Sequence, residues 1–313
     1  MKFITLYLIL LIGILTCYGH VCPEKNEYTR IKYGEKVKVN GKKMAFSVVG
    51  NNNDIPIVLL PGLNLISPIL SFKPFAEALS KQFKVITLEP FGYGISDEAD
   101  TDRNIENIIS EIHTAVHEIG LDKFYLMGHS LGGLYSLGYA NKYPEDLLGV
   151  IGIDNTPSGF DEVKVNYSYV GPFFIFCNER HKSGYWKNAP EEEFILNVTP
   201  LDFTYNYTEE DLENFKIIFG YTYCNDNSLN EGLHFNSDID ELKGLHFPES
   251  IPVLQFVSSS NSYIYNYWKS AHEGLISNPN FPNEVILLRG SHYLYLDQKD
   301  AIVEKVESWI NNF

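Results

Sequence analysis

The stretch that decides the fold is "FYLMGHSLGG", at positions 124–133. Its first four residues have the apolar character of a buried strand, and a helix-forming segment follows its end. Within it, the glycines of "GHSLG" (128–132) stand two positions before and two positions after Ser130. Small residues at these positions let the chain turn sharply and expose the hydroxyl at the end of a strand, above a helix N-terminus. The pattern predicts that Ser130 is a nucleophile.

Short apolar strands and helical segments alternate on both sides of this stretch. The predicted strands are 36–39, 43–49, 57–60, 84–88, 124–127, 148–153, 253–257 and 284–288. The predicted helices are 70–81, 103–119 with Asp102 as N-cap and Gly120 as stop, 131–142 and 300–311. This alternation predicts an α/β fold, with a mostly parallel sheet covered by helices on both faces.

The alternation stops between residues 155 and 250, which we call the cap segment. It holds 18 aromatic residues in 96 positions, and 17 acidic against 6 basic side chains. Because the strand pattern resumes afterwards, we predict an insertion after the sixth strand that covers the carboxyl edge of the sheet. Two roles remain open for its aromatic side chains: they line an acyl pocket, or they form the hydrophobic core of the insertion itself.

The chain opens with "MKFITLYLILLIGILTCYGHVC", in which one lysine precedes an apolar run. This is typical of a signal peptide, and we predict cleavage after residue 19 and a secreted protein. The alternative is an uncleaved anchor, which is the one case in which membrane contact is expected. The predicted organisation is 1–19 signal peptide, 20–154 first part of the core, 155–250 cap segment and 251–313 second part of the core.

Secretion places the cysteines in an oxidising compartment. Cleavage leaves Cys22, Cys177 and Cys224, and we predict that the last two pair because both lie in the cap segment. N-glycosylation sequons, which indicate secretion only weakly, begin at Asn166, Asn197 and Asn206. The formal net charge of -16 argues against a nucleic-acid partner.

Several motifs resemble those of the α/β-hydrolase superfamily, and the resemblance covers nearly all of the chain after the leader. "LLPGLN" (59–64) is similar to the oxyanion turn after the third strand, and "EPFGYGISD" (89–97) is similar to a loop that usually begins with aspartate. "LRGSHYLYLDQ" (288–298) is similar to the late loop that carries the catalytic base. The resemblance implies a serine hydrolase of the cap-bearing branch, in which His292 is the base.

The same resemblance implies two backbone N–H donors for the oxyanion. They are Leu131, which follows the nucleophile, and Leu63 in the oxyanion turn, with Asn64 as the alternative to Leu63.

The acid of the triad is the least direct assignment. In many relatives it follows the strand after the cap, but here that loop is "VSSSNSY" (257–263), with Asn261 where an aspartate is expected. Some capped relatives carry the acid one strand earlier, at the end of "VIGIDNTP" (150–157). Asp154 is therefore the predicted acid, and replacement of Asn261 is expected to cost little.

We thus predict a carboxylic-ester hydrolase that acts on a small-molecule acyl substrate without cofactor or metal. A serine nucleophile disfavours dehalogenation, which uses a carboxylate. A prolyl-type aminopeptidase that uses Glu191 to Glu193, an acyltransferase or carbon–carbon hydrolase, and a binding protein without turnover remain open.

One further pair of residues has the spacing of metal ligands. His113 and His117 lie four positions apart on a predicted helix. The zinc-peptidase signature requires glutamate after the first histidine, where this chain has Thr114. A solvated helix flank is therefore the preferred interpretation.

Overall fold

The structure, a computed structural model, describes residues 25–158, 167–190, 200–277 and 283–312. These ranges leave out the predicted signal peptide, Cys22, Asn166 and Asn197. What the sequence predicts for these residues therefore remains a prediction. In the described part of the chain, no helix is both long and apolar enough to span a membrane.

The described strands form one eight-stranded sheet in the order β1-β2-β4-β3-β5-β6-β7-β8. The strands are β1 (Glu35–Val39), β2 (Lys42–Val49), β3 (Pro56–Leu60), β4 (Lys84–Glu89), β5 (Phe124–His129), β6 (Leu147–Ile153), β7 (Val253–Ser258) and β8 (Glu284–Leu288). The strand β2 pairs antiparallel with β1 and β4, and all other pairs are parallel. The predicted fold class is confirmed.

Helices precede β1, occupy most of the connections between the strands and follow β8. They are α1 (Lys25–Arg30), α2 (Pro68–Ser71), α3 (Lys73–Leu79), α4 (Ile105–Glu118), α5 (Leu131–Lys142), α6 (Val170–Lys182), α7 (Glu209–Thr222), α8 (Asp226–Glu241), α9 (Ser259–Ile264), α10 (Trp268–Gly274), α11 (Leu294–Asp297) and α12 (Lys299–Ile310). Short 3₁₀ turns cover Pro144–Asp146 and Trp186–Asn188.

The central strands are buried on both faces because successive side chains point to opposite sides of the sheet. In β5, Leu126 belongs to one buried cluster with α4 and α5, whereas Met127 belongs to a second cluster with α3 and α12. Two separate cores therefore hold β5 in place, and its carboxyl end, where Ser130 follows, is fixed with it.

Two predicted helices differ in detail from the observed ones. The predicted helix 70–81 is wrong as one unit, because Pro74 lies in the first turn of a second helix and ends the backbone pattern of the first. The predicted N-cap Asp102 is also wrong. Asn104 caps α4, since its side chain accepts the N–H of Asn107 at 3.0 Å.

The described part of the cap segment contains the helices α6, α7 and α8 and one disulfide. Cys177 of α6 bonds to Cys224, which follows α7, with their Cα atoms 5.6 Å apart. The predicted pair is therefore present. The bounds of the cap segment as a separate domain remain a prediction.

Candidate active site

Ser130 lies on the sharp turn that its neighbouring glycines predict. It has φ 53° and ψ -120°, and α5 begins at the next residue. A Cβ on Gly128 would lie 2.5 Å from the Gly132 carbonyl oxygen, and a Cβ on Gly132 would lie 2.7 Å from that of Pro61. Both positions need glycine because backbone approaches too closely, and the turn holds the hydroxyl at the carboxyl edge of the sheet.

Asp154 and His292 meet at the same edge. Asp154 directly follows β6 and is fully buried, and its Oδ2 lies 2.8 Å from Nδ1 of His292. An ionised carboxylate accepts hydrogen bonds only, so Nδ1 of His292 carries the proton. Nε2 is then the basic nitrogen, as proton abstraction from a serine requires.

Asp154 is held by donors from several segments. Its carboxylate accepts hydrogen bonds from Ser258 N at 2.7 Å and Oγ at 2.9 Å, from Asn261 Nδ2 at 2.7 Å and from Trp268 Nε1 at 2.7 Å. Burial raises the pKa of Asp154, but the hydrogen bond and charge of His292 and the other donors outweigh burial and lower this pKa below its usual value. The carboxylate is therefore ionised at neutral pH.

Asn261 lies beside His292, the predicted base, at the position where the family resemblance leads one to expect an acid. Its Nδ2 lies 2.7 Å from Asp154 Oδ2 and 3.2 Å from His292 Nδ1. The Asn261 amide thus donates a hydrogen bond to Asp154, the carboxylate that stands in for an acid at position 261. The donor role of Asn261, like those of Ser258 and Trp268, is not evident from the sequence because these residues are more than a hundred positions from Asp154.

A second histidine forms a hydrogen bond to the backbone of His292, a contact that no local sequence pattern indicates. His129, the residue before Ser130, is buried, and its Nε2 lies 3.0 Å from the carbonyl oxygen of His292. Burial, together with the charge of His292, lowers the pKa of His129 to about 3. His129 is therefore neutral, and its Nε2–H donates to the loop that carries the base.

The oxyanion turn has one backbone N–H already in use. Asn64 N–H donates to Tyr93 Oη at 3.0 Å, and Tyr93 in turn donates to Glu231 Oε2 of α8 at 2.8 Å. Since the Asn64 N–H is engaged, Leu63 is the better assignment for the donor in this turn. The other predicted donor, Leu131, is the first residue of α5, where N–H groups lack intrahelical acceptors.

The disulfide of the cap segment touches the same turn. Asn64 Oδ1 accepts the N–H of Cys224 at 3.0 Å, and Asn64 Nδ2 lies 3.4 Å from Cys224 Sγ. Asn64 has φ 59°, which asparagine tolerates better than most residues. The oxyanion turn is thus tied to the cap helices.

Glu89, at the start of the motif "EPFGYGISD", serves a structural role. It is fully buried and accepts hydrogen bonds from Ser67 Oγ at 2.8 Å, Ile95 N at 2.9 Å and Tyr33 Oη at 3.0 Å. These bonds join the loop to the turn before α2 and to the segment before β1.

A cavity of about 550 Å³ connects these parts. Ser130 and His292 line it together with Leu63, and its remaining walls are mainly apolar or aromatic. The described lining residues are Gly62, Leu63, Asn64, Leu65, Ile66, His129, Ser130, Tyr169, Val170, Phe173, Phe174, Pro200, Tyr223, His292 and Tyr293. Helix α6 of the cap segment supplies part of the wall, so the cap segment shapes the space next to Ser130.

Comparisons with known proteins agree with this architecture. Residues 55–174 match the family model described as alpha/beta hydrolase fold. The uncharacterized protein YbdG of Bacillus subtilis (strain 168) is 26% identical over 306 residues, which cover 94% of this chain and 91% of that protein. A pimeloyl-[acyl-carrier protein] methyl ester esterase of Legionella pneumophila (strain Corby) is 24% identical over 264 residues, which cover 82% of this chain and 95% of the esterase.

Solved structures share the fold over most of their length. An epoxide hydrolase from Vigna radiata superposes with a TM-score of 0.66 at 15% identity, over 90% of this chain and 98% of its own. The enol-lactonase from Burkholderia xenovorans LB400 superposes with a TM-score of 0.62 at 18% identity, over 88% of this chain and 100% of its own. At these identities the likeness concerns the fold alone.

Proposed function

We propose that this chain, whose residues 55–174 match the alpha/beta hydrolase family model and whose sheet agrees with that fold, is a serine hydrolase that cleaves carboxylic esters through an acyl-enzyme on Ser130. One observation carries the proposal. The hydrogen bond of 2.8 Å between Asp154 and His292 fixes the histidine in the tautomer of a base, at a cavity that Ser130 also lines.

The reaction runs in two steps. His292 Nε2 takes the proton of Ser130 Oγ as Oγ attacks the ester carbonyl carbon, and the N–H groups of Leu63 and Leu131 bind the oxyanion. The C–O bond to the alcohol then breaks, and His292 gives the proton to the departing oxygen. Water attacks the acyl-enzyme by the same path, which releases the carboxylic acid and restores Ser130.

The shape and lining of the cavity favour an apolar acyl group. Phe173 and Phe174 of α6, with Tyr223 beyond α7, face the space beside the nucleophile. Burial of methylene groups against such walls contributes about 0.8 kcal/mol per CH₂. We therefore propose medium-length apolar acyl chains as the substrate class, and ester hydrolysis should accelerate with chain length until the cavity is full.

An aminopeptidase of the prolyl type requires a negative group to hold a substrate's amino terminus. Glu191 to Glu193, the candidates for this role in the sequence, lie outside the described residues. Among the described residues that line the cavity there is no Asp or Glu. The ester proposal therefore has the stronger support, and the amide substrates serve as its test.

The test combines covalent labelling with a substrate series. Wild-type protein and Ser130→Ala are treated with a fluorophosphonate probe and assayed with p-nitrophenyl esters of increasing acyl length beside aminoacyl-naphthylamides. Ser136→Ala is the matched control, since Ser136 lies six residues on, in α5, and its hydroxyl donates to the Gly132 carbonyl. We expect Ser130→Ala alone to lose labelling and turnover.

Undiminished labelling of Ser130→Ala would overturn the nucleophile assignment. Faster turnover of naphthylamides than of esters would favour the aminopeptidase, and transfer of the acyl group to an added alcohol in preference to water would favour an acyltransferase.

We also propose that the protein is secreted. The apolar leader, the disulfide between Cys177 and Cys224 and the exposed sequon at Asn206 support this location. Mass spectrometry of the protein from culture medium should find a mature chain that starts after residue 19. Recovery of the uncleaved chain in the membrane fraction would instead indicate an anchor.

A further inference from the structure

The two histidines that the sequence analysis left as a solvated flank have a third neighbour in the structure. His113 and His117 project from α4 toward Asp146, in the 3₁₀ turn that precedes β6. The Oδ2 atom of Asp146 lies 3.5 Å from Nε2 of His113 and 3.2 Å from Nε2 of His117. One ligand atom from each of the three residues lies within 4.8 Å of the others.

We propose that His113, His117 and Asp146 form a Zn²⁺ site. In a tetrahedral zinc site with bonds of about 2.0–2.1 Å, neighbouring ligand atoms lie about 3.3–3.4 Å apart. The two nitrogen-to-oxygen distances bracket this value. Two imidazoles and one carboxylate are also a ligand set that zinc prefers, and they leave a fourth position for water.

The surroundings hold these side chains in place. Tyr139 Oη donates to Asp146 Oδ2 at 2.7 Å, as outer-shell partners of metal-bound carboxylates do. The ring of Tyr143 stacks on His113 with centroids 3.8 Å apart. Asp146 is almost fully buried, whereas His117 is partly exposed, so the carboxylate forms the floor of the site and solvent reaches the ion from outside.

Hydrogen bonds alone account for the arrangement less well. Oδ2 of Asp146 already accepts the Tyr139 hydroxyl, yet both imidazole nitrogens approach that same oxygen. One imidazole would suffice to pair a buried carboxylate. A cation between the three groups gives each nitrogen lone pair a partner and balances the buried charge.

The site is separate from the proposed catalytic centre. Asp146 precedes β6 and Asp154 follows it, so the two lie at opposite ends of a seven-residue strand, about 26 Å apart. Zinc here would join α4 to the start of β6 and stabilise the fold without a part in ester cleavage.

Calorimetric titration of the tag-free chain with Zn²⁺ tests the site. We expect one ion per chain, and Co²⁺ in its place should give the intense visible absorption of tetrahedral coordination. His113→Ala and His117→Ala should each weaken binding by at least about 100-fold, and Tyr139→Phe by about tenfold. Zn²⁺ should raise the melting temperature of the wild type but not of His117→Ala.

Two controls separate this site from other histidines. His234→Ala changes a partly exposed histidine of α8, and His292→Asn removes the proposed base, so both variants should keep wild-type zinc affinity. Fluorophosphonate labelling of His117→Ala should stay unchanged, which shows that the variant is folded. Equal affinity in His117→Ala, binding that disappears in His292→Asn, or no stoichiometric binding by the wild type would overturn the proposal.

Discussion

The ends of β6 and β7 are neighbours in the sheet, but they supply different chemistry to the same histidine. After β6 comes Asp154, a buried carboxylate 2.8 Å from Nδ1 of His292. After β7 comes Asn261, an amide 3.2 Å from the same nitrogen. The carboxyl ends of adjacent parallel strands meet at one edge, so either position reaches the base.

The predicted acid and several of the groups that donate hydrogen bonds to it thus belong to two different strand ends. The β7 end provides Ser258 and Asn261, which both donate to Asp154. Asp154 has φ 48°, a left-handed conformation that aspartate adopts more readily than most residues. Because a carboxylate already lies at the end of β6, the end of β7 requires groups that donate hydrogen bonds to it, and not a second acid.

Removal of the charge at the β6 end should have the largest effect. Asp154→Asn is expected to lower kcat/KM for p-nitrophenyl esters by about 10⁴-fold, because an amide cannot stabilise the imidazolium that forms during attack. The far-UV circular dichroism of the variant serves as the folding control. A loss below tenfold would show that the triad draws its acid from another residue.

Exchange of the side chains at positions 154 and 261 tests whether the acid can act from either strand end. The double variant Asp154→Asn, Asn261→Asp should recover about 10- to 100-fold of the activity that Asp154→Asn loses, since a carboxylate at 261 lies within reach of His292 Nδ1. Steady-state rates of the single and double variants measure this recovery. Equal rates would mean that the β7 end cannot carry the acid in this fold.

Removal of the donor at the β7 end should have a smaller effect. Asn261→Ala is expected to reduce kcat about tenfold with little change in KM, because Asp154 loses one charge-assisted hydrogen bond. This loss exceeds the small one that the sequence alone suggested. Ser260→Ala, an exposed neighbour in α9, is the matched control and should retain full activity. Full activity of Asn261→Ala would show that the hydrogen bond from Asn261 to Asp154 does not contribute to catalysis.

The smallest effect concerns stability and pH. Because the folded-state pKa of Asp154 is depressed, its ionised form stabilises the native state above the usual value of 3.8, and this contribution disappears as the pH falls through the folded pKa. The gap in free energy of unfolding between wild type and Asp154→Asn should therefore narrow below pH 3.8. Urea unfolding at several pH values measures the gap, and a constant gap would contradict the depressed pKa.

Local patterns in the chain predicted the parts of the site that are contiguous. The turn around Ser130 needs glycines two positions away on either side, and a strand and a helix that adjoin it, so a short stretch contains the whole requirement. The alternation of strands and helices likewise predicted the sheet. It failed at α2 and α3, where one proline within a helical pattern decides the break, and at the N-cap of α4, where Asn104 and Asp102 both have capping side chains.

Residues that meet across the fold required the tertiary structure. The sequence indicated Ser130, His292 and Asp154, but not that Trp268 and Asn261 would donate to Asp154. Nor did it show that Tyr93 would accept the N–H of Asn64, which leaves Leu63 as the better candidate for the oxyanion donor. The helical spacing indicated that His113 and His117 share one side of a helix, but nothing in the sequence placed Asp146 beside them. Helix and strand periodicities act over a few residues and can be read along the chain, whereas strand order and the meeting of distant loops result from packing the whole sheet.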